Sequence, residues 1–392
     1  MTKYTFPTAF SNWGDEEAAA IDRVRASGNW TMGEEVAAFE AEFSAFHGKK
    51  HGIMTNSGSS ANLLAVASLF HKTDNPLKRG DKVLVPAVAW STTYAPLVQY
   101  GLDIVLADID ETWNAAPSYP DADARLVVGC SILGNPAHLH WWKTQAERHG
   151  AYFIEDNCES LGALTRTKPG RFDTLCGTFG LLSTCSFFYS HQLSAIEGGM
   201  ILTDDDELAD LCRMLRAHGW TRDTARPGQS EHRFEAEYDF RLFGYNLRGL
   251  ELHAAVAREQ LKKLEQFRRQ RQQNWHNFFT WTMDLPITQP KVNGILSPFS
   301  IHFSVKDKET RSQLVTALRA NGIDCRLPTG GSFLRHPYGA AYGPPWRDQK
   351  TPEADKLHDT GLFIGNPPFA FEEEILRAVK VMEGAFWRAQ NA

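Results

Sequence analysis

Short apolar, β-branched runs alternate with stretches of helical spacing between about residue 50 and residue 205. Such alternation predicts repeated strand–helix–strand units, because parallel strands need a crossover connection, usually a helix. The predicted fold class is therefore α/β, with a mostly parallel sheet covered by helices on both faces. The predicted strands are 82–86, 103–108, 126–130, 152–155, 185–190 and 200–203.

Polar or glycine-containing segments follow several of these strands. They are 56–60, 90–94, 156–159 and 190–199. In open α/β sheets ligands bind beyond the carboxyl ends of the strands. The sequence therefore predicts that the chemistry of this protein gathers at that edge of the sheet.

A long helix is predicted from about residue 248 to residue 278, because Ala257, Leu261, Leu264 and Phe267 keep three-and-four spacing. A strand, a helix and a second strand are predicted beyond it, at 301–305, 310–321 and 324–327. We therefore expect a large α/β domain with an N-terminal arm, followed by a linking helix and a small C-terminal α+β domain. The expected domains are residues 1–250 and residues 251–392.

The other face of this helix carries a run of basic residues. They are Lys262, Lys263, Arg268, Arg269 and Arg271. A solvated helix face is the favoured interpretation, and a surface that binds something acidic is the alternative.

The composition is that of a soluble globular protein: 42% of the 392 residues are apolar, and 41 basic against 47 acidic residues give 41 − 47 = −6. This balance argues against a nucleic-acid partner, whose phosphates require a concentrated positive field. No apolar run reaches the ~18 to 20 residues of a membrane span, and the N-terminus shows no signal-peptide pattern. We therefore expect no membrane partner and a cytoplasmic location.

The six cysteines are scattered, without a CxxC or CxC pair. Neither a disulfide framework nor a zinc or iron–sulfur site is predicted. His138 and His140 lie two residues apart without a cysteine or carboxylate at ligand spacing, so we expect no metal.

Three segments carry candidate chemistry. In 56–62, serine and glycine precede an apolar helix, which is typical either of a phosphate site at a helix N-terminus or of a simple cap. In 155–159, three acidic residues stand where a buried strand ends. A carboxylate there needs a cationic partner, for which a protonated pyridine nitrogen is suitable, or it caps the next turn.

The third segment, 186–199, is the most distinctive: a serine–phenylalanine pair precedes His191, and Glu-Gly-Gly follows it. With the other two segments, it resembles the sugar aminotransferase and dehydratase family of fold-type-I pyridoxal phosphate (PLP) enzymes. In that family a Ser-Phe pair precedes a lysine that holds the cofactor, and an acid and two glycines follow. Here His191 occupies the position of the lysine.

Further blocks narrow the resemblance to the dehydratases of that family that act on GDP-linked 4-keto-6-deoxymannose, on the route to GDP-colitose. Those blocks are 85–94, 177–181, 216–222, 244–246 and 361–366. The resemblance spans nearly the whole chain. It implies a fold-type-I architecture whose large domain binds the cofactor, and a homodimer with shared active sites.

The resemblance also implies which residues hold the cofactor. The phosphate ligands would be Gly58, Ser59 and Ser186. Trp90 would stack on the cofactor ring, Asp156 would pair with the ring nitrogen, and Glu159 would reach the side of the ring hydroxyl. Asn246 would reach the phosphate from the neighbouring subunit.

Histidine in place of lysine changes the expected reaction. Imidazole cannot form the covalent link that lysine makes, so the cofactor would work as its amine form, pyridoxamine phosphate (PMP). His191 would move protons while Asp156 keeps the cofactor ring protonated, and the C-3 hydroxyl of a nucleotide-linked 4-keto-6-deoxyhexose would leave. The expected products are a 4-keto-3,6-dideoxy sugar, ammonia and PLP, from which L-glutamate would regenerate PMP.

The glutamate carboxylates need cationic partners, for which Arg222 and Arg326 are the candidates. His218 either contacts the sugar or cofactor, or is a buried structural histidine. Gln192 departs from the dehydratase pattern, in which a second histidine usually follows the first.

The sequence leaves three alternatives to the dehydratase. An ordinary sugar aminotransferase would need the missing lysine. A related CDP-sugar dehydrase with an iron–sulfur cluster and a reductase partner would need clustered cysteines, and none lies between Cys212 and Cys325. A PLP-binding homologue without catalysis would have no reason to keep Asp156, Glu159 and Ser186.

Overall fold

The computed structural model describes residues 4–168, 171–225, 233–236, 238–337 and 345–390. A seven-stranded sheet has the order β1-β9-β8-β5-β4-β2-β3 and is parallel from β3 to β8, whereas β9 runs antiparallel to both of its neighbours. The fold class is therefore the predicted one, with a mostly parallel central sheet. Its strands are β1 (His51–Thr55), β2 (Lys82–Pro86), β3 (Asp103–Ala107), β4 (Leu126–Cys130), β5 (Tyr152–Asp156), β8 (Leu182–Ser186) and β9 (Gly199–Thr203).

The strands not in this sheet form two smaller sheets. A two-stranded antiparallel sheet contains β6 (Leu164–Lys168) and β7 (Arg171–Leu175). A four-stranded antiparallel sheet has the order β10-β11-β13-β12. Its members are β10 (Ile287–Thr288), β11 (Ser300–Val305), β12 (Cys325–Arg326) and β13 (Gly361–Gly365).

The helices of the described residues cover these sheets. They are α1 (Asp15–Ser27), α2 (Glu34–Phe46), α3 (Gly58–Phe70), α4 (Ser91–Gln99), α5 (Leu139–Arg148), α6 (Asp206–Arg216), α7 (Arg233–Ala236), α8 (Glu251–Trp281), α9 (Lys308–Ala320), α10 (Pro352–Thr360) and α11 (Glu372–Gln390). None of them combines the length and the apolar character that spanning a membrane requires.

Strand β2 shows why the strands of the large sheet are continuous apolar runs. Val83 and Val85 share a buried cluster with Leu64 of α3, whereas Leu84 packs on the opposite face with Trp142 of α5. Successive side chains of a strand point to opposite faces. Since helices cover both faces, every position of β2 must be apolar to be buried.

Helix α8 connects the two larger sheets. It packs against α1 and α2 beside the seven-stranded sheet, and against α11 and β11 at the four-stranded sheet. A separate apolar cluster, including Phe278, Ile301 and Phe303, fills the space around the small sheet. The division of the chain into domains at residue 250 stays a prediction.

The prediction of a solvated basic face on α8 is wrong in part. Lys262 and Arg269 are exposed, but Lys263 donates to the buried carboxylate of Glu17 at 2.8 Å. Arg271 is only 4% exposed. Helical spacing identifies which residues share a face, but not what other elements that face meets.

Most predicted strands end within one residue of the observed bounds, but the strand predicted at 185–190 is displaced: β8 ends at Ser186. Phe187 instead leaves the sheet edge and packs against Phe39 and Phe43, with ring centroids 5.1 Å from each. Aromatic residues favour strands because they pack well there, and Phe187 finds that packing elsewhere.

Strand β1 is not among the strands predicted from the sequence, and it contains Gly52. A Cβ at this position would lie 2.6 Å from the backbone oxygen of Glu40 in α2. The glycine therefore allows α2 to approach the strand closely, which is a tertiary requirement.

Candidate active site

A cavity of about 330 Å³ lies beyond the carboxyl ends of the parallel strands. The structure brings most of the predicted site residues together there: Gly58, Ser59, Trp90, Asp156, Glu159, Ser186, His191 and Arg326. The cavity lining also includes Phe299, Leu327 and Phe363 from the region of the four-stranded sheet. The site is thus built at the predicted edge of the large sheet.

Helix α3 begins at this cavity. The hydroxyl of Ser57 accepts a hydrogen bond from the backbone N–H of Ser60 at 3.1 Å, so Ser57 is the N-cap. The N–H groups of the first helical residues have no partner within the helix, and the helix dipole favours an anion near them. Both interpretations of the segment therefore fit: Ser57 caps the helix, and Gly58 and Ser59 line the cavity.

Gly58 permits a close approach between α3 and β8. A Cβ at Gly58 would lie 2.5 Å from the Cβ of Ser186 and 3.0 Å from the Sγ of Cys158. A larger residue would separate the helix N-terminus from the end of the strand. Together, Gly58 and Ser186 form a narrow polar cradle at one end of the cavity.

Asp156 is the last residue of β5, and its side chain is held firmly. One carboxylate oxygen accepts hydrogen bonds from Asn62 Nδ2 at 2.9 Å and Thr93 Oγ1 at 2.8 Å. The other accepts from the backbone N–H of Cys158 at 3.1 Å. The side chain is buried, and no cation in the described residues forms an ion pair with it, so the cavity presents an acceptor suited to a positively charged ligand group.

The three acidic residues predicted near this strand end do not act as one cluster. Glu155 points to the face of the sheet away from Asp156, where its carboxylate accepts from the backbone N–H groups of Gly177 and Phe179. Glu159 lines the cavity and accepts from the backbone N–H of Leu133 at 2.9 Å. Burial, with a smaller effect from the charge of Asp156, raises the pKa of Glu159 to about 8.

His191 stands in the loop between β8 and β9. Its ring packs against Phe299, with centroids 5.3 Å apart, and against Phe188 at 5.7 Å. Nδ1 is buried and makes no well-formed hydrogen bond within the described residues. Burial lowers the pKa of His191 to about 4, and the Ser186 carbonyl and the Asp156 carboxylate oppose this shift without reversing it. The imidazole is therefore neutral at pH 7.

The rim of the cavity is more open. Trp90 immediately precedes α4 and is 56% exposed. The side chain of Arg326 is 62% exposed and lies 3.6 Å from Asp324. An aromatic face and a guanidinium group are therefore both available to a ligand that enters the cavity.

A sequence model of the DegT/DnrJ/EryC1/StrS aminotransferase family matches residues 12–382. The chain belongs to that family. The match extends over the strands and helices that build the cavity and over the four-stranded sheet.

Within the DegT/DnrJ/EryC1/StrS family, the chain is similar to GDP-4-keto-6-deoxymannose 3-dehydratases, among other relatives. The GDP-4-keto-6-deoxy-D-mannose 3-dehydratase of Escherichia coli O55:H7 (strain CB9615 / EPEC) is 38% identical over 383 residues, which cover 94% of this chain and 97% of that protein. A crystal structure of GDP-4-keto-6-deoxymannose 3-dehydratase with a histidine changed to asparagine and with bound GDP-perosamine has a TM-score of 0.89. It is 36% identical and covers 96% of this chain and 100% of that one.

A second crystal structure of such a dehydratase holds a trapped PLP–glutamate geminal diamine. Its TM-score is 0.88 at 37% identity, and the match covers 96% of this chain and 100% of that one. The resemblance predicted from the sequence is thus confirmed over nearly the whole length of the chain.

Three predicted residues lie outside the cavity of their own chain. Asn246 and His218 are exposed neighbours: Asn246 forms a β-bridge with Ala217, and His218 donates its N–H to the Tyr245 carbonyl at 2.6 Å. Arg222 lines a separate cavity of about 400 Å³ that also contains Arg248. Its guanidinium carbon stands 4.1 Å from the centroid of the Trp220 ring. Arg222 and Arg326 therefore do not line the same cavity of one chain.

Sequence reasoning missed the residues that orient Asp156. Asn62 and Thr93 lie near the starts of α3 and α4, far from Asp156 along the chain. Thr184 in turn donates to Asn62 at 2.6 Å. The polar positions at the two helix starts were visible in the sequence, but nothing there indicated that they meet one carboxylate.

Proposed function

We propose that this protein removes the C-3 hydroxyl of GDP-4-keto-6-deoxy-D-mannose and releases a 4-keto-3,6-dideoxy sugar. PMP is the working form of the cofactor, and L-glutamate regenerates it from PLP. The observation that carries the proposal is that His191 lines the cavity, whereas no lysine does in the described part of the chain. A sugar aminotransferase needs that lysine. Relatives that match over nearly the full length and bear the name 3-dehydratase support the same reaction.

The residues of the cavity fit PLP and PMP. The cradle of Gly58, Ser59 and Ser186 at the N-terminus of α3 would hold the phosphate, because unpaired N–H groups and the helix dipole favour an anion. Trp90 would lie against the ring. Asn246 of the partner subunit would complete the phosphate site. When bound, the cofactor supplies a protonated pyridine ring that accepts an electron pair from the reacting carbon.

Asp156 would bind the ring nitrogen. Its three hydrogen bonds, from Asn62, Thr93 and the backbone N–H of Cys158, fix the direction of the carboxyl group. A buried carboxylate without a cation is costly, so Asp156 favours the protonated form of a ring nitrogen placed beside it. The strand end thereby keeps the cofactor competent to accept electrons.

His191 would move the protons of the reaction. The low pKa of the buried imidazole, about 4, means that it is neutral at pH 7 and able to accept a proton. Once protonated, an imidazole with this lowered pKa gives up its proton readily and can donate it to the C-3 oxygen as the C–O bond breaks. General acid help of this kind contributes about 10² to 10⁴ in rate.

Glu159 would contribute a hydrogen bond rather than a charge. With its pKa raised to about 8, the carboxyl group is largely protonated at pH 7. A protonated carboxyl can donate to an oxygen of the cofactor ring while its other oxygen accepts from Leu133.

Arg326 would receive a carboxylate of L-glutamate. It lines the same cavity as His191, and a guanidinium binds a carboxylate through two parallel hydrogen bonds. Arg222 and His218, which lie outside this cavity, would act on the substrate bound at the partner's site.

We also propose a homodimer with shared sites. The segment that carries Asn246 displays exposed aromatic side chains, among them Tyr238, Phe240 and the fully exposed Phe243. Exposed apolar groups on one segment are typical of an interaction surface. A second copy of the chain would cover them and bring Asn246 to its neighbour's cofactor.

The first experiment tests the reaction. With GDP-4-keto-6-deoxymannose, PLP and L-glutamate, we expect ammonia, 2-oxoglutarate and a sugar that has lost one oxygen. Borohydride should leave no cofactor bound covalently to the native chain, whereas His191→Lys should permit such a bond and lose most of the deoxygenation. An aminated sugar would establish the aminotransferase instead, and a chain that converts neither glutamate nor sugar would be the non-catalytic homologue.

The second experiment tests the nucleotide. The same 4-keto-6-deoxy sugars linked to GDP, CDP and dTDP are compared by kcat/KM. A GDP preference supports a place in GDP-colitose and lipopolysaccharide O-antigen synthesis; a preference for CDP or dTDP would overturn that assignment.

The third experiment tests the shared sites. His191→Asn and Asn246→Ala are each expected to be poorly active alone. After the two are unfolded and refolded together, mixed dimers contain one site with both native residues, and about a quarter of the native activity should return. Recovery no greater than the sum of the separate variants would exclude a site shared between subunits.

A further inference from the structure

Arg271 on α8 lies directly behind the loop that carries His191. Its guanidinium donates to the backbone oxygens of His191 and Gln192, both at 3.2 Å, and its Nε donates to the oxygen of Asn366 at 3.1 Å. Asn366 follows β13, so one side chain joins the catalytic loop to the end of a strand in the four-stranded sheet.

Two further sets of hydrogen bonds hold this loop in place. The side-chain amide of Asn366 donates to the backbone oxygens of Arg271 and Pro298, each at 3.0 Å. Gln192 donates its side-chain amide to the backbone oxygens of Glu159 and Ser297. The loop is therefore held from α8 and from the strand end that supplies Glu159.

The charge of Arg271 is not neutralised locally. The side chain is 4% exposed, and its acceptors are three carbonyl groups; in the described part of the chain no carboxylate pairs with it. Burial lowers the pKa of Arg271 to about 9, so it is still charged at pH 7. A buried cation without an acid is costly and calls for a functional explanation.

We infer that Arg271 is a positioning residue for His191: its hydrogen bonds fix the backbone of the catalytic loop, and its unpaired positive charge adds to burial in disfavouring the protonated imidazole. This inference deepens the proposed function and rests on it. Asp156, Glu159 and Glu197 also line the cavity. The charge of Asp156 favours the protonated imidazole, whereas Glu159 is largely protonated at pH 7. Arg326 at the rim disfavours the protonated imidazole because the two charges are alike. The positive charge of Arg271 counteracts the effect of Asp156 on the His191 imidazole, from the side of the protein interior.

The positive charge also affects the second half of proton transfer. An imidazolium beside a guanidinium is destabilised by like charge, so it gives its proton to the departing hydroxyl more readily. One residue would thus favour His191 first as a base and then as an acid, without touching substrate or cofactor.

The test compares Arg271→Met, which removes the charge and the hydrogen bonds, with Arg271→Lys, which keeps the charge and loses most of the hydrogen bonds. Arg268→Met is the matched control, since Arg268 lies one turn earlier on α8 and pairs with Glu265. The ionisation of His191 is followed in the cofactor-loaded protein by NMR of histidines labelled at Cε1, with His191→Asn to assign the signal. This readout does not depend on which sugar is the substrate.

We expect Arg271→Met to raise the His191 pKa by about 0.5 to 1 unit, and Arg271→Lys to leave it nearly unchanged. Both should lower kcat about tenfold or more at nearly constant KM for the nucleotide sugar, because a misplaced proton-transfer group slows the chemical step. Arg268→Met should change neither quantity.

An unchanged His191 pKa in folded Arg271→Met would overturn the electrostatic part of the inference. If Arg271→Met does not fold, Arg271→Lys decides the positioning part: native kcat in that variant would overturn it. If no nucleotide sugar is turned over at all, the proposed function fails, while the NMR titration still tests the effect of Arg271 on His191.

Discussion

The two parts of the proposed site differ in how the chain supports them. At the end of the large sheet, Asp156 is buried and accepts three hydrogen bonds, and Gly58 packs closely on Ser186. Around Asn246, by contrast, Phe243 is fully exposed. One chain therefore holds the buried wall of the cavity, which contains Asp156, Gly58 and Ser186, by its own packing. The segment around Asn246 instead presents an exposed surface, which a second copy of the chain would cover in the proposed homodimer.

The largest effect on activity is expected at His191, which also lines the buried wall of the cavity. His191→Asn keeps a polar side chain of similar size but cannot exchange protons near neutral pH, so kcat should fall by about 10²- to 10⁴-fold. The measurement is single-turnover release of ammonia from nucleotide sugar and PMP. His138→Gln is the control, because His138 pairs with Asp110 outside the cavity. A rate within a few-fold of native in His191→Asn would remove its proton-transfer role.

Gly58→Ala should disturb the close packing of the same wall. The added methyl group would meet the Cβ of Ser186 at 2.5 Å, so we expect a loss of about 1 to 3 kcal/mol in the free energy of unfolding and weaker PMP binding. Gly384→Ala in α11 is the control, since its Cβ would meet only Arg388 Nη1 at 3.8 Å. That change should stabilise by about 0.5 to 1 kcal/mol. Equal stability in the two variants would contradict the close approach.

Glu159→Gln tests the burial of an acid in the wall. Because the pKa of Glu159 is raised from 4.5 to about 8 in the folded chain, the folded state holds a proton that the unfolded state releases. Its contribution to stability is therefore present at low pH and declines as pH rises from about 4.5 to 8. Thermal unfolding of the cofactor-free protein should show native stability falling between pH 6 and 8, relative to the variant, by about 2 kcal/mol. Glu383→Gln, an exposed residue of α11, should retain the native slope; parallel curves for Glu159→Gln and the native protein would disprove the shift.

Phe243→Ser tests the exposed segment around Asn246 and has the smallest expected effect. The side chain makes little contact within its own chain, so the unfolding of the isolated chain should change little, whereas the dimer dissociation constant should rise about tenfold. Sedimentation velocity over a concentration series measures this. Met283→Ser, 78% exposed just beyond α8, is the control. An unaltered dissociation constant in Phe243→Ser would move the interface elsewhere on the surface.

Neighbouring residues show how far sequence reasoning could go at the site. The sequence located the acidic strand end, but it did not separate Asp156, which enters the cavity, from Glu155, which binds the N–H groups of Gly177 and Phe179 behind the sheet. Alternation along a strand places the two on opposite faces, yet which face holds the cavity depends on the loops that close it. Arg271 is the residue whose surroundings the sequence predicted least well, because its basic neighbours on α8 suggested a solvated surface.

The order of strands and helices, the sheet edge where polar segments collect, and the histidine at the position of the family's lysine were all visible in the amino-acid sequence. These are local properties, set by hydrophobic period, turn composition and motif. The folded chain was needed to show that Asn62 and Thr93 hold Asp156 and that Arg271 lies behind His191. It was also needed to show that Arg222 and Arg326 line different cavities. Those contacts join residues far apart in the chain, and their energies come from burial and hydrogen bonding that exist only once the elements pack.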